Sequence, residues 1–367
     1  MVLKLLQLQD FRSYKRKKLE FFFGTTLLVG DNAAGKTNIL EAMTLLATGK
    51  SFRAGRETEM IGNRAELARV EGEIETGKES LELEIVLTKG EVNGQGVYKK
   101  RLLVNGVGKR LIDFSGNLRV VLFQPDDLLL VLGSPSRRRD YLDFVLMQIS
   151  RQYYRCLLAY EKGLRLRNKL LIQIREGEAG SSQLEYWDRL LVKNGRILHQ
   201  QRKEYLQFIN QNWLLHQFLP LEELQIEYDH SFISQERLAQ YHQAEIASGT
   251  TLVGPHRDDF KIIIDDKPAR RRGRLRMADK NLAVYGSRGE QRMAVLALKL
   301  AELAFVAERT KERPLLLLDD IFSELDQEHR NQVLGIIGRQ QTIITTANLN
   351  LVEKRFRDKM KTINLNA

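Results

Sequence analysis

The chain has 367 residues, of which 43% are hydrophobic, and its 58 basic and 47 acidic side chains give a net charge of +11. This length allows two or three domains, and the charge favours a polyanionic partner, nucleic acid first, over the alternative of a basic solubilising surface. The single cysteine excludes an intramolecular disulfide and a thiolate metal site. With no membrane-length apolar run and no signal-peptide pattern, we expect a cytoplasmic protein without membrane contact.

The N-terminal residues 1–29 are predicted to form strands around a polar turn. Tyr14 in that turn either stacks on an adenine ring or, as is commoner, caps the sheet. A short apolar strand at 25–29 then leads into G-x-x-x-x-G-K-T, and apolar residues at helical spacing follow. This context predicts a phosphate-binding loop, because a strand, a glycine-bearing loop and a helix start point backbone N–H groups at one anion. A chance match on an ordinary turn is the alternative.

The predicted loop assigns side chains to ATP and Mg²⁺. We expect Lys36 to reach the β- and γ-phosphates and the Thr37 hydroxyl to ligate Mg²⁺. Beyond the following helix, Arg53 either contacts phosphates of nucleotide or DNA or is a solvated loop arginine. The residues predicted to bind the nucleotide at this end of the chain are Gly30, Asp31, Asn32, Ala33, Ala34, Gly35, Lys36, Thr37 and Asn38.

The next region is predicted to be a β meander. From residue 67 to 104 apolar and polar residues alternate, and glycines interrupt the run, as in antiparallel hairpins. Residues 120–123 form a buried strand that ends at Gln124. A polar residue at the end of a core strand can reach a metal ion or a water.

Residues 136–249 are interpreted as a helical insertion, or arm. No proline occurs between residues 135 and 220, and from Tyr141 apolar residues recur on one helix face to about Arg175. At ~1.5 Å per residue this predicts a first helix of roughly 50 Å. A turn at 176–182 and a second helix from Leu184 to about Leu215 would complete an antiparallel hairpin. A compact helical subdomain without reach is the alternative.

After the arm, residues 254–264 are predicted to return to the sheet, and a basic run follows. Such a run is normally exposed because its charges repel one another, and exposed arginines bind phosphate backbones. A solvated loop is the alternative. The predicted DNA-binding residues of this run are Arg270, Arg271 and Arg272.

The C-terminal part supplies a second set of site residues. Ser287 to Glu290 is an S-x-x-E capping box, which places Ser287 and Gly289 at a helix N-terminus. Four leucines at 315–318 form a buried strand typical of a parallel sheet, and it delivers Asp319 and Asp320 at its carboxyl end. Asp319 is expected to hold Mg²⁺, directly or through water, and Asp320 to orient the attacking water. Two acids in a surface loop are the alternative.

Two predictions complete the C-terminal part. Residues 323–326 are a further cap that starts the next helix, and 341–346 a last strand that ends in hydroxyls. The loop around Lys36 and the acids at 319–320 can share a site only if one head is built from both chain ends. We therefore predict an ATPase head of 1–135 and 250–367, with the arm 136–249 inserted.

These motifs resemble the ATP-binding-cassette ATPases of DNA maintenance, with the heads of SMC proteins as relatives, and in detail the RecF family of bacterial recombination and gap-repair proteins. The resemblance rests on residues 30–37, 48–53, 123–125, 254–259, 285–292 and 315–326, in the family's order. It implies an α/β fold: an ABC-type P-loop ATPase head built from both chain ends, with an antiparallel β meander and an inserted α-helical arm.

The resemblance also implies roles for residues and partners. Ser287, Gly289, Glu290 and Gln291 would belong to the signature motif, which binds the γ-phosphate of ATP held by a second chain. Gln124 would link Mg²⁺ to arm movement and join Lys36 and Asp320 in catalysis, and 323–326 would be the D-loop at the dimer seam. An ATP-dependent homodimer would bind duplex and gapped or junction DNA and, with RecR and RecO, help to load RecA. Slow hydrolysis would release the dimer.

Three features depart from the wider pattern of these ATPases. Many transporter-type cassettes have glutamate where this chain has Asp320, and Thr345 or Thr346 stands where a switch histidine is usual. The stretch 270–284 is longer and more basic than the family leads us to expect. Two other functions are weighed: a non-hydrolysing scaffold that uses ATP only to dimerise, and a cassette subunit of a transporter. The helical insertion, the basic loops and the missing histidine count against the transporter.

Overall fold

The computed structural model describes residues 1–77, 79–211, 224–264, 280–324, 330, 333–335 and 337–366. Contacts divide the chain into two units. The sheet unit comprises Met1–Asp126 and Val306–Ala367, and the helical unit comprises Asp127–Phe305. The three predicted segments, with boundaries after residues 135 and 249, stay a prediction. In the described part of the chain, no helix combines the length and apolarity that a bilayer crossing needs.

The strands of the described residues are β1 (Val2–Phe11), β2 (Tyr14–Glu20), β3 (Thr25–Val29), β4 (Leu67–Thr76), β5 (Glu79–Thr88), β6 (Glu91–Val92), β7 (Gln95–Gly96), β8 (Lys100–Val104), β9 (Val107–Gly108), β10 (Val120–Phe123), β11 (Leu224–Asp229), β12 (Asp259–Ile264), β13 (Lys280–Asn281), β14 (Leu315–Asp319), β15 (Thr342–Thr346) and β16 (Lys361–Asn364). The α-helices are α1 (Lys36–Thr48), α2 (Leu111–Phe114), α3 (Leu129–Leu132), α4 (Pro135–Ile149), α5 (Arg151–Arg175), α6 (Leu184–Gln211), α7 (Gln235–Ser248), α8 (Leu282–Tyr285), α9 (Arg288–Thr310), α10 (Ile321–Glu324) and α11 (Lys354–Arg357).

The sheet unit contains two sheets with helix α1 between them. The antiparallel sheet has the order β2-β1-β4-β5-β8-β9, which confirms the predicted meander, and the parallel sheet has the order β10-β14-β15-β3-β16. Helix α1 packs against strands of both sheets, and nearly all of its residues are buried. A helix that is apolar on all sides is stable only in such a setting. The parallel sheet contains strands from both ends of the chain, β3 and β10 from the N-terminal part and β14, β15 and β16 from the C-terminal part, as predicted.

One glutamine side chain ties the two sheets together. Gln341, which is fully buried, accepts a 2.7 Å hydrogen bond from the backbone N–H of Leu3 and donates one of 2.7 Å to its carbonyl. Residue 341 directly precedes β15, whereas Leu3 lies in β1. An amide buried at this depth is stable only because both of its ends are paired.

The helical unit differs from the predicted arm in two respects. The first helix does not run unbroken to Arg175, because Ser150 has an extended backbone and its hydroxyl caps α5 by accepting from the Tyr153 N–H at 3.1 Å. Helix α5 alone is therefore ~37 Å long at ~1.5 Å per residue. The region is also not purely helical, since strand β11 pairs with β12. The predicted hairpin itself is present: Gly163 lets α5 approach α6 so closely that a Cβ would lie 2.6 Å from Leu190.

A buried arginine joins the segment 254–259 to the helices of this unit. Arg202 donates to the carbonyl of Pro255 at 2.7 Å, to Asp258 at 3.0 Å and to Asp143 at 2.7 Å. Asp258 also accepts from the backbone N–H of Ser231 at 2.8 Å. These bonds supply the partners that a buried charge requires, and they connect the segment 254–259 to helices α4 and α6.

Candidate nucleotide-binding site

The predicted site residues meet at the carboxyl edge of the parallel sheet. Strand β3 leads into the loop 30–35, and β14 ends at Asp319 two strands away, with β15 between them. On the other side of β14, Phe123 of β10 is paired with Leu318, so Gln124 follows level with Asp319. Ligands of parallel sheets bind outside this edge. Register alone thus brings the predicted loop, acids and glutamine into one place.

The loop has the backbone of an anion cradle. Gly35 has φ 91° and Ala33 has φ 70°, both in the left-handed region, and α1 starts at the next residue, Lys36. A Cβ at Gly35 would lie 2.6 Å from the hydroxyl of Tyr14. That hydroxyl donates to the carbonyl of Ala34 at 3.1 Å, and burial raises the pKa of Tyr14. Tyr14 therefore braces the loop from the sheet side.

Lys36 is folded over the loop that it follows. Its ammonium is largely buried and donates to the carbonyls of Gly30 at 2.6 Å and Asp31 at 2.9 Å. The N–H of Asp31 is bonded to the side chain of Asn366 at 3.1 Å. A phosphate oxygen can replace these carbonyl partners, because a hydrogen bond from an ammonium to an anion is stronger than one to a neutral carbonyl.

Two of the three predicted magnesium ligands, Thr37 and Asp319, are in direct contact. Thr37 donates from its hydroxyl to Asp319 Oδ2 at 2.9 Å, and the other oxygen of Asp319 accepts from the hydroxyl of Thr345 at 2.7 Å. A hydroxyl and a carboxylate at this spacing are hard oxygen ligands of the kind that Mg²⁺ uses together with substrate phosphates. The donor set therefore fits Mg²⁺ beside the phosphate-binding loop.

Asp320 is held in an unusual backbone conformation. Its φ of 49° is left-handed, and its N–H donates to Thr345 Oγ1 at 3.0 Å. Ser323 donates to the Asp320 carbonyl at 2.7 Å and lies 3.2 Å from its carboxylate. Ser323 thus stands inside the turn of α10, which begins at Ile321. The prediction that the cap at 323–326 starts the next helix stays a prediction, because residues 325–329 lie outside the described residues.

A network beneath the loop was not foreseen from the sequence. Arg12 forms a two-point ion pair with buried Glu41 of α1, at 2.8 and 2.6 Å, and this bond raises the pKa of Arg12. Ser51 donates to the same carboxylate at 2.6 Å. On the surface nearby, Arg53 donates to the Asn38 side chain at 3.3 Å. Arg53 thus lies at the rim of the site, where either predicted role stays open.

The predicted signature residues lie in the helical unit. The capping box is formed: the Ser287 N–H donates to Glu290 at 2.6 Å, and the Glu290 N–H donates to the Ser287 hydroxyl at 3.3 Å. Ser287 and Gly289 are exposed, whereas Gln291 is turned inward and donates to the carbonyls of Leu282 and Gly286. The nucleotide contacts predicted for this motif stay predictions, and Gln291 positions the turn before α9.

Some predicted residues fall outside the described part of the chain. These are Arg270, Arg271 and Arg272 of the basic run, and residues 325 and 326 of the predicted D-loop. Their predicted roles therefore stay untested.

Comparisons with known proteins show the family of this chain. The family model described as RecF/RecN/SMC N terminal domain matches residues 2–366. The DNA replication and repair protein RecF of Lachnoclostridium phytofermentans is 37% identical over 95% of this chain and 93% of the relative. The protein of the same name from Gloeobacter violaceus is 38% identical over 97% of this chain and 94% of the relative.

The chain belongs to the RecF family. A solved RecF structure, described as the recombination mediator protein RecF-ATPrS in the RecFOR pathway, has a TM-score of 0.83 to this chain at 34% identity, with 96% of this chain and 94% of that chain covered. An SMC head bound to the C-winged helix domain of ScpA has a TM-score of 0.53 at 17% identity, covering 99% and 94%, and shows the fold alone. The predicted α/β, ABC-type head with meander and helical insertion is confirmed.

Proposed function

We propose that this RecF-family chain is an ATP-dependent DNA-binding ATPase of recombinational repair and replication. Its ATP-bound homodimer holds duplex or gapped and junction DNA and, with RecR and RecO, helps to load RecA. Slow hydrolysis of ATP then releases the dimer. The observation that carries the proposal is the contact between Thr37 and Asp319 at the mouth of a phosphate-binding loop.

The chain's own residues divide the work on ATP. The N–H groups of the loop and Lys36 bind the phosphates, and Thr37, Asp319 and Gln124 hold the metal. Bound Mg²⁺ would neutralise charge on the β- and γ-phosphates. Asp320 orients the attacking water by accepting one of its hydrogens, a role for which its position one residue past the metal-binding aspartate suits it.

Dimerisation follows from the exposed signature residues. Ser287 and Gly289 stand at the N-terminus of the 23-residue helix α9, and their surroundings are open: a Cβ at Gly289 would meet nothing within 4 Å. An exposed helix start with orphan N–H groups favours an anion. A second chain's ATP is the anion that this proposal assigns to it.

The repair role is supported by the relatives. Proteins named DNA replication and repair protein RecF cover nearly the whole of this chain at more than 35% identity. A solved relative is described as RecF-ATP in the RecFOR pathway. Together with the net charge of +11, this favours DNA over other polyanions.

A second candidate is the scaffold that binds ATP and dimerises without turnover. It is supported by a contact of Asp320: the hydroxyl of Ser323 lies 3.2 Å from one oxygen of the Asp320 carboxylate. If that contact persisted with ATP bound, the Ser323 hydroxyl would compete with the attacking water for this carboxylate. Turnover decides between the two candidates.

The proposal is tested by DNA binding with different nucleotides. Binding of a fluorescent gapped duplex is titrated with ATP, with ADP and without nucleotide, in the presence of Mg²⁺. We expect the tightest binding with ATP, together with a dimer in sedimentation and a slow release of phosphate. Equal binding in all three conditions would contradict an ATP-dependent clamp. Tight ATP-dependent binding without phosphate release would favour the scaffold.

A further inference from the structure

The solvent face of helix α5 carries a row of basic side chains. Its members, here named the basic stripe, are Arg151, Arg155, Lys162, Arg165 and Lys169. All five are exposed. At 3.6 residues per turn, spacings of 4, 7, 3 and 4 place them within an arc of about 80°. The stripe is therefore straight and faces one direction.

The opposite side of α5 anchors the helix in the helical unit. Tyr153 and Tyr160 are buried there, and buried Arg167 donates to Asp188 at 2.6 Å. The packing of α5 thus requires its inner face only. The five stripe residues are exposed, so the packing of α5 does not require basic side chains at these positions.

The stripe residues also differ in their pairing from several other arginines of this unit. Arg202 and Arg167 are bonded to carboxylates, and even exposed Arg189 has Glu185 at 3.4 Å. Within the described residues, none of the five stripe residues has an ion-pair partner at salt-bridge distance. Glu161, the one acidic residue of α5, lies at about 280° on the same wheel, which is about 40° outside the arc on the side of Arg165.

The dimensions of the stripe suit duplex DNA. Eighteen residue steps separate Arg151 and Lys169, which is ~27 Å at ~1.5 Å per residue. A duplex rises ~3.4 Å per base pair, so the stripe spans about eight base pairs of backbone. Long flexible cations on a convex helix reach phosphates and read no base edges, which predicts binding without sequence preference.

We propose that the basic stripe is a binding surface for the phosphate backbone of duplex DNA. This inference rests on the proposed DNA-binding function and adds a surface on the helical insertion to it. The carrying observations are five exposed cations on one straight face, none of them ion-paired with another described residue, and a buried opposite face. An acidic protein surface is the other partner that such a stripe could fit, and the test separates the two.

The test compares two matched triple variants of the full chain. The stripe variant is Arg155→Gln, Lys162→Gln and Lys169→Gln. The control variant removes three exposed cations elsewhere in the helical unit, by Arg175→Gln, Arg189→Gln and Lys261→Gln. The affinity for a fluorescent duplex is measured with ATP and Mg²⁺ at several salt concentrations. A third variant, Arg155→Lys, Lys162→Arg and Lys169→Arg, keeps the charge and reports on folding.

We expect the stripe variant to bind at least about tenfold more weakly at physiological salt, because each lost phosphate contact removes ~0.9 from the log–log salt slope and three remove about 2.7. The control and the charge-keeping variant should stay near wild type. An unchanged slope in the stripe variant, with wild type binding DNA, would overturn the stripe and leave the proposed function standing. Absence of DNA binding by wild type would overturn the proposed function and the stripe with it.

Discussion

The hydroxyl of Thr37 lies 2.9 Å from a carboxylate oxygen of Asp319, although 282 residues separate them in the chain. The contact exists because β3 and β14 lie in one parallel sheet with β15 between them, so their carboxyl ends meet. A helical unit of 179 residues is inserted between these strands without separating them. The pairing of these strands therefore brings Thr37 and Asp319 together.

Lys36→Met is expected to weaken ATP binding about tenfold to a hundredfold, because it removes charge-assisted hydrogen bonds of about 1.5–3 kcal/mol. The buried stem of the side chain is kept, so the fold should be unaffected. Binding is measured with a fluorescent ATP analogue, and Lys89→Met, at an exposed position of the sheet unit, is the control. Unchanged affinity in the Lys36 variant would refute the phosphate contact.

Asp320→Asn should reduce ATP turnover about a hundredfold or more, the usual loss when a group that activates the attacking water is removed. Asparagine tolerates the left-handed backbone seen at this position, so the local structure is kept. ATP binding should stay within a few-fold of wild type, and the ATP-bound dimer should accumulate in sedimentation. Turnover equal to wild type would remove Asp320 from the reaction.

Ser287→Arg places a bulky cation at an exposed helix start, where it obstructs a second chain and leaves the chain's own phosphate loop intact. ATP binding should be normal, and ATP-dependent dimerisation should be lost. Dimerisation is measured by sedimentation with ATP, and Ser182→Arg, at an exposed turn of the helical unit, is the control. A normal dimer in the Ser287 variant would show that these residues do not form the seam.

Glu302→Gln tests a buried charge cluster on α9. Lys299 Nζ lies 3.3 Å from Glu302 Oε2 and 3.4 Å from Asp127 Oδ1, and Tyr141 and Tyr205 complete the surroundings. Burial, opposed by the ammonium of Lys299, raises the pKa of Glu302 from its ordinary 4.5 to about 7. Between these two values the folded chain keeps a proton that the unfolded chain has lost. The free energy of unfolding therefore falls as pH rises through this window.

The glutamine variant has no such titration. We compare the free energy of unfolding of the variant with that of wild type at each pH. The difference, variant minus wild type, should increase by about 3 kcal/mol from pH 4.5 to pH 8, since a shift of one pKa unit corresponds to ~1.4 kcal/mol. Urea unfolding at several pH values measures the difference, and Glu308→Gln at an exposed position of the same helix is the control. A constant difference across the range would mean that Glu302 does not titrate there.

The sequence predicted the parts of the site that local rules determine. The loop before α1, the leucine strand β14 and the capping box at Ser287 each follow from residues within a few positions of one another. Four consecutive leucines followed by two acids fit a buried strand with a polar end and few other structures. The position of Asp319 at the end of β14 was therefore predictable.

Features that depend on distant partners were not predictable. Arg12 and Glu41 form an ion pair across 29 positions, and Asn366 reaches the loop from the other end of the chain. Strand β16, which pairs with β3, has only four residues and no distinctive pattern. The break at Ser150 was missed because the apolar spacing continues past it, and only the capping hydroxyl reveals it.

The most direct test of the account is the rate of ATP hydrolysis per chain as a function of protein concentration, with and without duplex DNA. A site completed by a second chain predicts a rate that rises with concentration to a plateau and reaches it at lower concentration when DNA is present. A measurable rate that is flat in both series would contradict the account, because it would mean that each chain hydrolyses ATP alone.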